Sequence, residues 1–241
     1  MSGITEAASQ VTLRVLGPMG AARGSKEVPL GGPKQRCVLA MLVAAAPSPV
    51  SVDVLAEALY GDDAPERGRR RIQTYVSTLR SLLGDVIVRA GEGWRLDTQL
   101  VRVDAQDFEA AIASTDRMRA EEVSSTLDRA LSLWVGSPFV ELESHGWLDP
   151  EIGRLNELRL QALERRIDAD LDLGRSAEVI PELATLIAEH PYRETLRARH
   201  ILALYRAGRQ EEALASMAEL RRLLVDDLGL CLLYTSDAAD E

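Results

Sequence analysis

Residues 66–96 read ERGRRRIQTYVSTLRSLLGDVIVRAGEGWRL, and two periodicities meet within them. Ile72, Val76, Leu79 and Leu83 recur at helical spacing, which predicts a helix from about Glu66 to Leu83 with one buried stripe, ended by Gly84. The opposite face carries Arg70, Gln73, Thr74, Ser77 and Ser81, with Arg67, Arg69, Arg71 and Arg80 on its flanks. Past Gly84 the run Val86, Ile87 and Val88 is strand-forming, and Arg89-Ala90-Gly91-Glu92-Gly93 leads into Trp94-Arg95-Leu96, the composition of a glycine-rich hairpin. Arg67, Arg69, Arg70 and Arg71 sit at the N-terminal end of the helix, where cations oppose the macrodipole and add nothing to helix stability. Something other than local folding favours them. Arginine can bond guanine bidentately, glutamine can bond adenine and hydroxyls can bond phosphate, so such a face suits a major groove. Taken alone, a solvated basic surface accounts for it equally well.

Working outward, Val11, Leu13 and Val15 alternate with Thr12, Arg14 and Leu16 before Gly17-Pro18, the pattern of a short strand and a turn. A second strand-like piece, Lys26 to Leu30, stops at Gly31-Gly32-Pro33. Pro33 suits a first helical position, and Val38, Leu39, Leu42 and Val43 share a face of the helix of about 14 residues that follows and ends before Pro47-Ser48-Pro49. Ser51 caps a second helix, with Val54, Leu55, Ala58 and Leu59 as its expected buried stripe and Gly61 as its close. The acidic turn Asp62-Asp63-Ala64-Pro65 then leads into the arginine-bearing helix. Helix, short turn, helix, loop, third helix, then a hairpin bearing Arg89 and Arg95 is the order of a winged helix, in which the third helix reads bases and the hairpin touches backbone or minor groove. This order is a stronger pointer to duplex DNA than the arginines are.

Beyond about Asp104 strands vanish and every segment has a 3.6-residue apolar rhythm. Leu173-Gly174-Arg175 with Ser176 to Leu186 aligns with Ala207-Gly208-Arg209 and Gln210 to Leu220 at an offset of 34 residues. At that offset Ile167 falls on Ile201, Leu171 on Tyr205, Val179 on Ala213, Ile180 on Leu214, Leu183 on Met217 and Leu186 on Leu220. This is the tetratricopeptide period, two antiparallel helices per unit. The pair Asp107 to Ala113 and Val123 to Leu133 can be read as a degenerate first unit, and Glu151 to Leu173 as a connecting helix. The expected organisation is a disordered N-terminus over 1–10, a winged helix over 11–100, an all-helical domain over 104–230, and a tail over 231–241. That tail, CLLYTSDAADE, continues no helical stripe and reads as frayed or foreign sequence.

The chain has 241 residues, 46% of them apolar, which is ample for real cores. Its net charge of -10 divides unevenly: residues 11–100 hold 12 basic against 9 acidic side chains, and residues 101–241 hold 16 against 28. Such asymmetry suggests two modules with different partners, and repulsion from DNA would keep the acidic one off the duplex. No run approaches the roughly 18 apolar residues of a membrane helix, and the start lacks the features of a signal peptide, so the expected location is the cytoplasm, at the nucleoid, without membrane contact. His145, His190 and His200 have no carboxylate or cysteine neighbour at ligand or triad spacing, and Cys37 and Cys231 are too few for a zinc site. We therefore expect no metal, no cofactor and no catalysis. Gly31-Gly32-Pro33-Lys34 is not a P-loop, which needs four residues between its glycines and a hydroxyl residue after its lysine.

Taken together, these stretches resemble the SARP (Streptomyces antibiotic regulatory protein) family of transcriptional activators. The resemblance is carried by Leu16-Gly17-Pro18, Pro29-Leu30-Gly31-Gly32-Pro33-Lys34-Gln35-Arg36, Val50-Ser51-Val52-Asp53, Ala58-Leu59-Tyr60-Gly61, residues Gln73 to Arg80 and Gly93-Trp94-Arg95-Leu96. A second block comprises Ala130-Leu131-Ser132-Leu133-Trp134, Leu155-Asn156-Glu157-Leu158-Arg159, residues Ala203 to Leu214 and Asp227-Leu228-Gly229. It implies an α+β OmpR-type winged helix followed by an all-α, tetratricopeptide-like bacterial transcriptional activation domain. Such proteins bind direct repeats near promoters, usually as two protomers side by side, and recruit RNA polymerase holoenzyme to biosynthetic gene clusters. Carried over by position, Arg70, Gln73, Thr74, Ser77 and Arg80 would enter the major groove, Arg89 and Arg95 would serve the wing, and the loop of Gly61, Asp62, Asp63, Ala64 and Pro65 would face polymerase. The alternative is a helical-repeat protein-binding adaptor or ligand-sensing regulator without direct promoter activation. The family pattern continues past Gly229 with a proline-containing segment and one more helix, where this chain has its tail.

Overall fold

Strand β1 (Val11–Arg14) lies at the centre of the first structure the chain builds. It pairs antiparallel with β2 (Gly20–Arg23), which pairs antiparallel with β3 (Lys26–Val28), and on its other side it pairs parallel with β7 (Val101–Val103), setting Val11 beside Val101 and Leu13 beside Val103. The sheet order is β3-β2-β1-β7. The computed structural model describes residues 10–61, 66–142 and 146–226, so the expectations for the first nine residues, for Asp62 to Pro65, for His145 and for the tail lie outside the described residues. The described residues form two units: one made of those up to Asp116 together with Asp128–Leu160, the other of Arg117–Leu127 and those from Gln161 on.

Between β3 and β7 the first unit inserts three helices and a small sheet. Helix α1 (Pro33–Ala45) starts with proline at its first position, where a missing N–H costs nothing, and every residue from Cys37 to Val43 is buried. The single stripe expected for it is too narrow, because α1 is covered on all sides in its middle. Helix α2 (Val52–Tyr60) is capped by Ser51, whose hydroxyl accepts from the Val54 amide at 3.2 Å. Its buried residues are Val52, Leu55 and Ala56, while Val54 is exposed, so the expected stripe was rotated. Helix α3 (Glu66–Leu83) buries Ile72, Val76, Leu79 and Leu83, as the spacing predicts.

The hairpin strands β5 (Ile87–Ala90) and β6 (Gly93–Leu96) are joined by Gly91 and Glu92, with Gly91 at φ 57°, a value that suits glycine at the first position of a two-residue turn. A third strand, β4 (Val50–Ser51), pairs antiparallel with β6, setting Val50 beside Trp94 and Ser51 beside Gly93. The approach is so close that a Cβ at Gly93 would collide with the Val50 carbonyl. Strands β2, β4 and β7 carry no sequence signal of their own. They have two to four residues each, and β2 (Gly-Ala-Ala-Arg) is built from small side chains.

The rest of the first unit braces the end of β1. Helix α4 (Asp104–Ser114) follows β7 directly, and the buried Asp104 carboxylate accepts from the amides of Val15, Leu16 and Ala105. The amides of Val135 and Phe139 donate to the carbonyls of Leu16 and Val15 at 2.8 and 2.9 Å. Phe108 meets Trp134 edge-on at 5.4 Å, and the guanidinium of Arg159 lies 5.2 Å from the Trp134 ring. Glu141 accepts both from the Met19 amide (2.9 Å) and from Arg36 of α1 (3.0 Å).

In the second unit, the C-terminal part of α6 (Asp149–Asp172) is followed by α7 (Ser176–Glu189), α8 (Glu194–Arg206) and α9 (Gln210–Asp226); the segment Arg117–Leu127 includes most of α5 (Ala120–Leu131). The 34-residue repeat is visible in atomic detail. Gly174 and Gly208 adopt φ 77° and 78°. Around Gly174 the amides of Leu173, Gly174 and Arg175 donate to the carbonyls of Ala169, Leu171 and Asp170, and around Gly208 those of Ala207, Gly208 and Arg209 donate to Ala203, Tyr205 and Leu204, one period on. The acidic residues here are not all solvated. Asp170 is buried and accepts from Ser124, Arg175 and Arg166, and Glu164 is buried against Arg193 and Thr195. The two repeats differ in cover: Leu171, Ile180 and Leu183 are buried, whereas their equivalents Tyr205, Leu214 and Met217 are exposed.

Candidate nucleic-acid interface

Because α3 buries Ile72, Val76, Leu79 and Leu83, its opposite face is turned to solvent. Arg69, Arg70, Arg71, Gln73, Thr74, Ser77 and Ser81 are all exposed, and Arg80 is half-buried. The side chain of Arg67 lies outside the described residues. Of the loop expected to face polymerase, only Gly61 is described; it closes α2 at φ 68°, a left-handed value that favours glycine.

The exposed side chains are not equally available. Arg69 pairs with Asp53 of α2 at 2.7 Å and Arg80 with Asp85 at 2.7 Å. The hydroxyl of Thr74 donates to the Arg70 carbonyl at 3.1 Å, so its proton is turned back onto the helix. Among the described residues, the side chains of Arg70, Gln73 and Ser77 have no hydrogen-bond or ion-pair partner, which leaves an arginine, an amide and a hydroxyl in a row along the outer face. The two wing arginines stand on opposite faces of the ribbon. Arg89 is paired across the strands with Trp94 and Arg95 with Val88, and adjacent pairs point to opposite sides. Arg89 is exposed, its guanidinium 5.3 Å from the Trp94 ring and its Nε donating to the Gly91 carbonyl at 3.3 Å; Arg95 is half-buried.

Beside this face lies a group that sequence reading did not single out for function. Lys34 Nζ of α1 sits 3.9 Å from the centre of the Tyr60 ring of α2, and the Tyr60 hydroxyl is 3.1 Å from that of Tyr75 on α3. Arg71 lies close enough to the Tyr60 hydroxyl to act on it both as a donor and as a charge. Burial works against ionisation of Tyr60, but the hydrogen bonds with Tyr75 and Arg71 and the charges of Lys34 and Arg71 outweigh it and hold the phenol below its ordinary value. Tyr75 moves the other way, raised by its hydrogen bond with Tyr60 and by burial.

Among the described residues no group of three or more His, Cys, Asp or Glu could hold a metal, and no helix is long and apolar enough to cross a membrane. Cys37 is buried within α1, where burial raises its thiol above the ordinary value.

A family model described as the bacterial transcriptional activator domain matches residues 103–232. The regulatory protein AfsR of Streptomyces griseus is 38% identical over 235 residues, covering 94% of this chain and 24% of AfsR. The transcriptional regulatory protein EmbR of Mycobacterium tuberculosis H37Rv is 35% identical over 241 residues, covering 95% of this chain and 62% of EmbR. The regulatory protein DnrI of Streptomyces peucetius is 32% identical over 234 residues, covering 90% of this chain and 86% of DnrI. The chain thus spans a minor part of AfsR and less than two thirds of EmbR, but most of DnrI. A solved structure of Mycobacterium tuberculosis EmbR in complex with a low affinity phosphopeptide shares the fold, with a TM-score of 0.83 at 35% identity over 92% of this chain and 61% of that one. EmbR is a transcriptional regulatory protein, and AfsR and DnrI are regulatory proteins. The chain belongs to the SARP family of transcriptional activators, with an α+β, OmpR-type winged helix ahead of an all-α bacterial transcriptional activator domain.

Proposed function

We propose that this activator binds duplex DNA by laying α3 in the major groove, with the β5–β6 hairpin as its wing. The observation that carries the reading is the row of Arg70, Gln73 and Ser77, without a partner among the described residues, opposite the buried stripe of α3. Arg70 is placed to bond guanine and Gln73 adenine, with Ser77 beside them. Arg69, Arg71 and Arg80, with Arg67 earlier on the helix, supply positioning contacts to phosphates, Thr74 joins them once its hydroxyl turns from the Arg70 carbonyl, and Arg89 and Arg95 serve the wing.

The wider reading follows the family. Two protomers stand side by side on a promoter direct repeat, the loop from Gly61 through Asp62, Asp63 and Ala64 to Pro65 meets RNA polymerase holoenzyme, and the regulated genes form a secondary-metabolite biosynthetic cluster. The protein works in the cytoplasm at the nucleoid, without a cofactor or metal. The winged helix takes residues 11–100 and the activation domain 104–230. Selection of bound duplexes from a random pool tests this reading: an enriched direct repeat, bound with a stoichiometry of two, is expected, and absence of any enriched sequence would defeat it.

A second reading, a helical-repeat adaptor or ligand-sensing regulator, draws on the exposed apolar residues Tyr205, Leu214 and Met217. Titration against random duplex at low salt separates the two, because an adaptor without the DNA role has no measurable affinity there.

A further inference from the structure

We propose that Lys34, Tyr60, Arg71 and Tyr75 form a clamp for one backbone phosphate of the duplex, set beside the base-reading row of α3. The inference rests on the proposed role of α3 in DNA binding and adds a separate site to it.

Three helices bring the four side chains together: Lys34 from α1, Tyr60 from α2, and Arg71 and Tyr75 from α3. Lys34 packs on the Tyr60 ring at 3.9 Å, the two hydroxyls meet at 3.1 Å, and Arg71 reaches the Tyr60 oxygen. Two phenols own two protons. Their mutual hydrogen bond uses one, whichever hydroxyl donates it, so the other is left to donate outward. The group therefore offers an ammonium, a guanidinium and a hydroxyl, all donors, about one tyrosine.

Among the described residues the charge is uncompensated. Arg14, Arg36, Arg69 and Arg80, elsewhere in the same unit, each hold a carboxylate at 3.0 Å or closer: Glu27, Glu141, Asp53 and Asp85. Among the described residues, neither Lys34 nor Arg71 has such a partner, and each lies beside Tyr60 with the other. Two like charges held over one tyrosine are stabilised by an anion that accepts from both, and a phosphate has oxygens enough for the lysine, the arginine and the free phenol proton.

Position on the helix selects a backbone phosphate. At about 100° per residue, Arg71 lies roughly 100° round the helix from Arg70, and Tyr75 is one turn further along the same side. A helix with its side chains is about 10–12 Å across and the major groove is about 12 Å wide. With Arg70 facing the groove floor, Arg71, about 100° round the helix from it, meets a groove wall, and that wall is a row of phosphates; Tyr75, Tyr60 and Lys34 adjoin Arg71 on the protein side.

The test uses the full chain and a duplex selected from the random pool. Binding is followed by fluorescence anisotropy over a salt series for the wild type, Lys34→Gln, Lys34→Arg, the double variant Tyr60→Phe/Tyr75→Phe and, as a control on the underlying reading, Gln73→Ala. Thermal melting establishes that each variant is folded. Lys34→Gln is expected to weaken binding to every sequence alike and to lower the log–log salt slope by about 0.9, Lys34→Arg to restore the slope, and the double variant, which has no phenol proton left to donate, to weaken binding without changing the slope. A duplex series with single neutral methylphosphonate substitutions should contain one position that costs the wild type affinity and costs Lys34→Gln nothing further.

A wild-type affinity and slope in Lys34→Gln would overturn the clamp; if Gln73→Ala then still lost sequence preference, the base-reading role would stand. Saturable binding of inorganic phosphate that Lys34→Gln abolishes, with duplex affinity unchanged, would also overturn it and assign the site to a free phosphoryl ligand. A wild-type chain that binds no duplex would defeat the clamp together with the reading it rests on.

Discussion

Asp104 grips the Val15 amide with both carboxylate oxygens, at 2.9 and 3.0 Å, across 89 positions of sequence. The same carboxylate accepts from Leu16 and Ala105, so one buried side chain joins the end of β1 to the start of α4. Burial raises its pKa above the ordinary aspartate value, and the three amide donors offset this only in part.

Asp104→Ala should destabilise the protein by about 1–3 kcal/mol, the cost of leaving buried amides unpaired. The sign of the pH effect follows from the direction of the shift. A carboxyl that binds its proton more tightly when folded adds stability below its unfolded pKa, and that contribution is lost as pH rises through the folded value. Urea unfolding at several pH values should show the advantage of the wild type over Asp104→Asn shrinking through that window, and parallel curves would contradict the assignment.

Along α3, Arg80→Ala and Gln73→Ala should separate two kinds of contact. Loss of Arg80 is expected to weaken binding and flatten its salt dependence by about 0.9 in slope. Loss of Gln73 is expected to cost roughly 1–3 kcal/mol at some base pairs only. Competition titrations with single-base variants of the selected site measure both, and a uniform loss for Gln73→Ala would demote it to a positioning role.

Gly93→Ala tests the crossing of β4 and β6. Because the new methyl group would meet the Val50 carbonyl, the strands must separate, with an expected cost of roughly 1–3 kcal/mol. Trp94, paired with Val50, supplies the readout: its fluorescence should change before global unfolding. An unperturbed spectrum and melting temperature would show that the strands can part freely.

The two helical repeats make a paired prediction. Leu183 is buried, so Leu183→Ala should cost about 2–5 kcal/mol, whereas Met217→Ala at the equivalent, exposed position should cost less than about 1 kcal/mol. Chemical denaturation of both variants decides it, and equal losses would mean that Met217 is covered in solution.

Much of this architecture is legible in sequence, for a physical reason that also explains the gaps. Helix α3 was read to its ends because Ile72, Val76, Leu79 and Leu83 repeat over 18 residues, long enough for periodicity to outweigh local noise. The glycines at 174 and 208 announced the repeat because few other residues tolerate that backbone. Strands β4 and β7 could not be read, since two or three residues hold no period and their partners lie far away in the chain. The stripe of α2 was misplaced at Val54 because burial there is set by what packs on the helix. Lys34, Tyr60 and Arg71 went unnoticed as a group because they belong to three helices, and a pattern within one helix says nothing about which ends converge.

The placement of β3 and β7 at opposite edges of the four-stranded sheet has a mechanical consequence. Everything from Pro33 to Leu96 hangs between two mounts three strand spacings, or about 14 Å, apart. A load bolted at two points cannot swivel as one on a single tether can. Torque applied to α3 or to the hairpin tip is carried into β7, and through it to the helix that begins at Asp104.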